Sequence, residues 1–257
     1  MTSGSVDLAI SGGVASVLFN RPESHNAMTF AMYDRLAEAC AQISADNSVR
    51  AVVFRGAGEA FVAGTDISEF RYFKTAEDGP RYESRIERTI ELVERIEAPT
   101  LAVVTGAAMG GGLVLAAACD LRLVTPRARF GVPIARTVGN CLSVANTARL
   151  VASLGVSRAK RMLLLAETMD AGEAVACGFA LGVVAPEEID RRAAELAGVL
   201  SSNAPLTLRI AKEAIRRLAA NGLPTGDDLV RLAYGSGDFK EGVSAFLEKR
   251  RPVWTGR

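Results

Sequence analysis

Residues 105–114 read Thr-Gly-Ala-Ala-Met-Gly-Gly-Gly-Leu-Val. The three consecutive glycines, Gly110, Gly111 and Gly112, separate a β-branched run, Thr100–Val104, from an Ala- and Leu-rich run, Leu113–Cys119. The first run reads as a buried strand and the second as a helix. Glycines at such a junction let a ligand approach bare backbone, and the free amides of a helix start favour negative charge. A site of this kind can hold an oxyanion that exists only during reaction. Neither glycine cluster of the chain fits G-x-G-x-x-G, and no Gly-Lys-Ser/Thr follows a glycine loop, which argues against dinucleotide and P-loop sites. The chain also has no Gly-x-Ser-x-Gly nucleophile elbow. Cys40, Cys119, Cys141 and Cys177 are scattered without a C-x-x-C pair, and the single histidine, His25, is remote from them. We therefore expect reduced thiols and no metal site.

The elements that must position these glycines follow from pattern. Val6–Ile10 and Val14–Phe19 flank Ser11-Gly12-Gly13, a hairpin signal. Asn20 to Asn26 is a polar loop. Thr29 is placed to cap a helix reaching about Ser44, with Met32, Leu36, Ala39, Cys40 and Ile43 on one stripe. Ala51–Arg55 reads as a strand before the turn Gly56-Ala57-Gly58. The polar segment from Ser68 to about Arg81 reads as a mobile lid, and a helix over about Tyr82–Ile96 ends before Pro99. Leu121–Val124 and Ala128–Gly131 read as short strands. Asp170 and Glu173 have capping-box spacing, and Gly178 can end the short helix that follows. Leu181–Val184 reads as a last strand. Helices are then expected over Pro186–Ser202, Pro205–Leu218, Asp227–Tyr234 and Asp238 to about Arg251. The break near Asn203-Ala204-Pro205 divides an α/β core from a helical tail.

The totals bound the function. The chain has 257 residues, is 49% apolar and carries a net charge of +1. That length and composition suit a globular protein with a sizeable core. The near-neutral charge gives no general pull toward nucleic acid or an anionic membrane. No apolar run approaches the length of a membrane-spanning helix, and the N-terminus lacks a signal-peptide pattern. The expected compartment is the cytoplasm.

Several stretches converge on one resemblance. Asn20-Arg21-Pro22 and Asn26-Ala27 precede a helix. Gly56-Ala57-Gly58-Glu59-Ala60-Phe61-Val62-Ala63-Gly64-Thr65-Asp66-Ile67 follows a strand. Gly106-Ala107, the glycine triplet, Cys119-Asp120, Phe130-Gly131-x-Pro133 and Asp238-x-x-Glu241-Gly242-x-x-Ala245-Phe246-x-Glu248-Lys249-Arg250 come later in order. Together they resemble the enoyl-CoA hydratase/isomerase family, the crotonase superfamily, over nearly the whole chain. The resemblance implies an α/β fold, a crotonase-like spiral of ββα units over residues 1–203, with a helical oligomerisation region over 204–257. It implies homo-trimers, often paired as hexamers, and an acyl-CoA substrate, with no cofactor beyond the coenzyme A that the substrate carries.

By position in these motifs, the backbone amides of Thr65 and Gly111 are the expected oxyanion donors for a thioester enolate. Substrate contacts are implied for Ser24, His25, Ala27, Ala63, Asp66, Ile67, Gly110, Ile134 and Lys249. Within that set, His25 belongs to the loop that resembles the family's CoA-contacting segment. The family pattern makes Asp66 a carboxylate that bonds local amides rather than a base. Hydratases of the family carry one glutamate three residues after the middle glycine and another after the proline of Phe-Gly-x-Pro. Here those positions are Val114 and Ile134. Hydration needs one group to take a proton and another to deliver one, and neither aliphatic side chain does either. From Gly112 to Ala166 the one carboxylate is Asp120, at the far end of the expected helix. Candidates for a base elsewhere in the chain are Glu69, Glu77, Asp78, Glu83, Glu87, Tyr72, Tyr82 and Cys141, and a CoA-binding protein without turnover is the alternative of another class. Arg136, Thr137 and Asn140, after Pro133, are candidates for binding a polar acyl group.

Overall fold

A computed structural model describes residues 4–75, 77–221, 236–248, 250 and 252–257. β1 (Ser5–Ser11) and β2 (Val14–Asn20) form an antiparallel hairpin in the register Ser11 to Val14. Gly12 and Gly13 make its two-residue turn with φ of 57° and 77°, the left-handed pair that matches strand twist. β3 (Ala51–Gly56), β4 (Thr100–Val104), β5 (Ala107–Met109), β6 (Leu121–Val124), β7 (Arg129–Gly131) and β8 (Thr168–Asp170) follow. The larger sheet has the order β1-β2-β3-β4-β6, parallel from β2 onward. The smaller has the order β5-β7-β8, with β5 parallel and β8 antiparallel to β7.

From β4 to β7 successive strands alternate between the sheets. β4 enters the larger and β5 the smaller; β6 and β7 repeat the step. After β3 the chain makes a single parallel bridge from Val62 to Ala108 beside β5. Each such pair leads to a helix: α2 (Asp78–Glu94) after β3, α3 (Gly111–Ala118) after β5, α4 (Val144–Leu154) after β7. This alternation is a spiral of ββα turns. α1 (Phe30–Ala45) precedes them. α5 (Val156–Leu164), α6 (Ala171–Ala176), α7 (Ile189–Ser202), α8 (Pro205–Asn221) and α9 (Gly237–Glu248) complete the described helices.

β4 explains why its sequence is apolar at every position. Ala102 and Val104 face the main core with Phe19, Phe54, Phe61 and the α1 stripe, while Leu101 and Val103 face a second core built with Ile189, Ala193 and Ala197 of α7. A strand covered on both faces loses the alternation of a half-buried one. α1 follows its pattern closely: Met32, Leu36, Ala39, Cys40 and Ile43 are all buried, and the Thr29 hydroxyl accepts from the Met32 amide at 3.2 Å. α6 carries the full capping box of Asp170 and Glu173.

Some expectations change. Leu181–Val184 is not a strand; Val183 makes one bridge to Val124, and the segment is held by bonds such as Leu181 N–H to Arg122 C=O. α2 begins at Asp78 rather than Tyr82, because the Asp78 carboxylate accepts from the Lys74 and Thr75 amides at 2.8 Å and fixes the turn that starts it. The expected lid is thus mostly 3₁₀ helix (Ile67–Tyr72) and the first turn of α2. Three-residue β5 and β8 carry too little periodicity to announce themselves. α7 starts at Ile189, not Pro186, and α8 runs on to Asn221. The expected helix over Asp227–Tyr234, and Arg251 at the end of the last helix, lie outside the described residues.

Helix α8, the first of the expected helical tail, is tied to the spiral. Lys212 reaches Asp120 at 2.7 Å, and Arg209 reaches Glu97 at 2.8 Å. Asp120 also accepts from the Thr100 amide and hydroxyl. No helix among the described residues is long and apolar enough to cross a membrane.

Candidate active site

The site is built by four backbone segments that approach one another at hydrogen-bond range. Residues 26–28 bond to residues 64–66: the Met28 amide donates to the Gly64 carbonyl and the Asp66 amide to the Met28 carbonyl. Residues 61–62 bond to 107–109 through the Ala107 carbonyl and the Met109 amide. The Gly110 amide donates to the Gly131 carbonyl. Gly110 has φ of 51°, a conformation that glycine adopts without penalty. Gly112 is required for a different reason. A β-carbon there would sit 1.9 Å from the Val62 carbonyl oxygen, so only a bare backbone lets α3 start against this segment.

The result is a cleft whose wall includes Ala63, Gly64, Thr65, Ile67, Gly110, Gly111, Val114 and Ile134. A β-carbon on Gly111 would lie 2.8 Å from the Tyr33 hydroxyl and 3.8 Å from Thr65 Oγ1. The two expected donor residues are therefore neighbours in space although far apart in sequence. Gly111 is the first residue of α3, so its amide has no intrahelical acceptor. Among the described residues neither the Thr65 nor the Gly111 amide donates a hydrogen bond. Two such amides at one cleft can polarise a carbonyl oxygen placed between them.

Thr65 is held by two phenols that the motifs do not mark. Its hydroxyl bonds to Tyr33 Oη at 2.9 Å and to Tyr82 Oη at 2.7 Å. Burial pushes the Tyr33 phenol well above its ordinary range, and burial also pushes Tyr82 up to about 12. Both stay protonated near neutral pH and act as hydrogen-bond partners. Phe70, Phe73 and Phe30 pack round Tyr82, with ring centroids 4.9, 6.0 and 6.0 Å away.

Asp66 is not among the residues that line the cleft. It accepts from the Ser68 amide at 2.9 Å and pairs with Arg21 at 2.7 Å. Burial opposes its ionisation, but Ser68 and Arg21 outweigh it and hold the carboxyl below the usual range. Ser24, His25 and Ala27 lie on the adjoining loop and not on the cleft wall. That loop is fastened by Asn26, fully buried, whose amide nitrogen donates to the Ala57 and Ala60 carbonyls at 2.9 Å. His25 is exposed, and its carbonyl accepts from the Ala63 amide. Lys249 lies outside the described residues.

Val114 is fully buried and Ile134 half-buried, and both line the cleft as apolar wall. Of the three residues considered for a polar acyl group, Thr137 and Asn140 line it, while Arg136 is exposed and does not. Among the alternative bases, Glu83 and Tyr82 line the cleft. Glu69 is occupied by the Phe30 amide at 3.1 Å, and Asp78 by its own turn. Cys141 is exposed and outside the wall. Cys40 and Cys119 are buried, with thiols pushed up to about 12 by desolvation, so neither presents a thiolate near neutral pH.

This fold is that of the acyl-CoA enzymes of the crotonase type. The enoyl-CoA hydratase/isomerase family model matches residues 9–257, and the chain belongs to that family. It is 34% identical over 256 residues to the short-chain-enoyl-CoA hydratase of Clostridium acetobutylicum, covering 98% of this chain and 97% of that protein. It is also 34% identical to human enoyl-CoA hydratase domain-containing protein 2, mitochondrial, covering 95% of this chain and 86% of that one. Among solved structures, an enoyl-CoA hydratase/carnithine racemase from Magnetospirillum magneticum superposes with a TM-score of 0.92 at 34% identity, covering 100% of this chain and 97% of that one. An enoyl-CoA hydratase from Bacillus anthracis gives 0.88 at 32% identity, with 100% of each chain covered.

Proposed function

We propose that this protein converts an acyl-CoA through a thioester enolate whose oxygen is held by the Thr65 and Gly111 amides, and that it does so without the two-glutamate hydration machinery. The observation that supports this reading is that Thr65, in the segment after β3, and Gly111, at the start of α3, line one cleft, and that neither amide donates a hydrogen bond among the described residues. Removing a donor of this kind from an oxyanion site typically raises the barrier by about 3–4 kcal/mol. Val114 and Ile134 support the second half: at the positions of the family's acid–base pair this cleft is aliphatic. Reactions that need one proton-moving group, such as double-bond migration, fit this wall better than addition of water. Decarboxylation and thioester hydrolysis are the neighbouring alternatives. The same two aliphatic residues favour one reading of another class, an acyl-CoA binder without turnover. By family likeness the chain assembles as a trimer or hexamer, with residues 204–257 serving oligomerisation.

Mass spectrometry of 2-enoyl-, 3-enoyl- and carboxyacyl-CoAs incubated with the protein in heavy water tests the proposal. The expected result is solvent deuterium in the acyl chain without net addition of water. Efficient addition of water would overturn the claim that hydration is disabled. Loss of carbon dioxide or release of free CoA would move the assignment to the neighbouring reactions. Retained CoA ligand with every compound unchanged would establish the binder instead.

A further inference from the structure

We propose that Glu83 is the group that moves the substrate proton, taking over from a different helix the work that Val114 and Ile134 cannot do; this rests on the enolate reading above. Glu83 is the one carboxylate among the described residues on the cleft wall, which it shares with Thr65 and Gly111. It stands on α2, one position after Tyr82, whose hydroxyl reaches Thr65. Its Oε2 accepts from the Ser143 amide at 2.8 Å, and Ser143 is the residue that caps α4. One carboxylate oxygen is thereby fixed between two helices. Oε1 has no hydrogen-bond partner among the described residues. A carboxylate anchored by one oxygen and open at the other is arranged as a general base.

The surroundings favour that use. Ile86, Val114, Ile134 and Leu142 make the adjoining wall apolar. Burial raises the Glu83 carboxyl above the ordinary range; the Ser143 amide opposes this and Glu87 adds to it. The titratable groups that act on Glu83 are Glu87 and Tyr82 on its own helix and Tyr33 from α1. α4 presents it with the Ser143 amide, not a charge.

The step balances without a co-reactant. Glu83 takes a proton from the carbon beside the thioester carbonyl. The C–H electron pair becomes the enolate double bond, and the carbonyl π pair moves to oxygen between the two amides. The carboxylic acid then returns a proton. Return to the same carbon gives exchange with solvent. In a 3-enoyl thioester, return to the far end of the dienolate moves the double bond into conjugation with the carbonyl.

Glu83→Gln separates this role from a purely structural one, since glutamine keeps an acceptor for the Ser143 amide and loses the base. Wild-type protein and E83Q are compared with 3-enoyl-CoAs of short and medium chain length in heavy water. Retention of acyl-CoA is measured in parallel. The expected result is deuterium uptake or double-bond migration by the wild type, reduced about 100-fold or more in E83Q while acyl-CoA is still retained. Wild-type exchange that E83Q leaves within about threefold would overturn the Glu83 assignment and leave the enolate reading standing. No exchange by the wild type would overturn both. The pH profile of wild-type exchange needs no variant. A rising limb above the ordinary carboxylate range is expected, and a rate already level at pH 4 would overturn the assignment.

Discussion

Asp66 shows how a carboxylate beside the cleft is taken up by its own surroundings. Its two oxygens are used by the Ser68 amide and by Arg21, whose side chain is 6% exposed. Asp66→Asn keeps the shape and removes the charge that Arg21 answers, so a loss of about 2 kcal/mol is expected. The pH dependence follows from the lowered carboxyl. The folded state binds this proton less tightly than the unfolded chain. The stabilisation is therefore complete above the unfolded value, about pH 4, and is lost as pH falls through the lower folded one. Thermal melts of wild type and D66N should differ fully at pH 7, begin to converge below about pH 4 and meet only below the lower folded value. A difference that persists unchanged at pH 2 would contradict this account. Gly112 is a second residue-scale constraint of another kind. The Val62 oxygen, 1.9 Å from where its β-carbon would stand, excludes every other residue type unless α3 moves.

At the scale of elements, α1 and α2 act as the frame of the cleft. α1 is started twice, by the Thr29 hydroxyl on the Met32 amide and by Glu69 Oε1 on the Phe30 amide. The second contact ties the 3₁₀ turn after Asp66 to the helix that carries Tyr33. Thr29→Ala should cost about 1 kcal/mol, a fall of roughly 2–4 °C in melting temperature for a chain of this size. Calorimetry checks it, and no measurable shift would mean that Glu69 alone suffices as the cap. α2 brings Tyr82 and Glu83 to the wall and also pairs Glu94 with Arg149 of α4 at 2.8 Å. Both of its ends are thus coupled to the segment after Pro133.

The whole molecule carries a surface signal as well. Val144, Leu164, Leu165 and Leu181 are 86%, 73%, 64% and 51% exposed. Of these, Leu164 and Leu165 are adjacent, and neighbouring apolar side chains left in water fit a surface that another chain covers. Sedimentation equilibrium is expected to return a mass of three or six chains, and replacing Leu164 and Leu165 with Lys should shift the distribution toward single chains. A monomer at micromolar concentration would rule out the oligomer proposed above. Within one chain, the Lys212–Asp120 pair and Thr100 join α8 to β4 and to the end of α3. The helical tail is anchored to the same strand that leads into the glycine triplet.

Local pattern alone determined a great deal. The hairpin turn at Gly12-Gly13, the α1 stripe, the Asp170 capping box and the two glycine segments are each written in a few adjacent residues, because turn conformations and helix caps depend on near neighbours. The motif order was enough to assign the family, and the aliphatic residues at Val114 and Ile134 were legible as a departure from it. What the sequence could not rank was the set of alternative bases, because lining a cleft depends on residues far apart in the chain. Only the folded arrangement brought Tyr33, Thr65 and Tyr82 into one hydrogen-bonded chain. Only it turned Asp66 toward Arg21 and set Glu83 on the cleft wall with one oxygen on Ser143. Those placements come from close packing of α1, α2 and α3 against two sheets, a long-range constraint that no local spacing encodes.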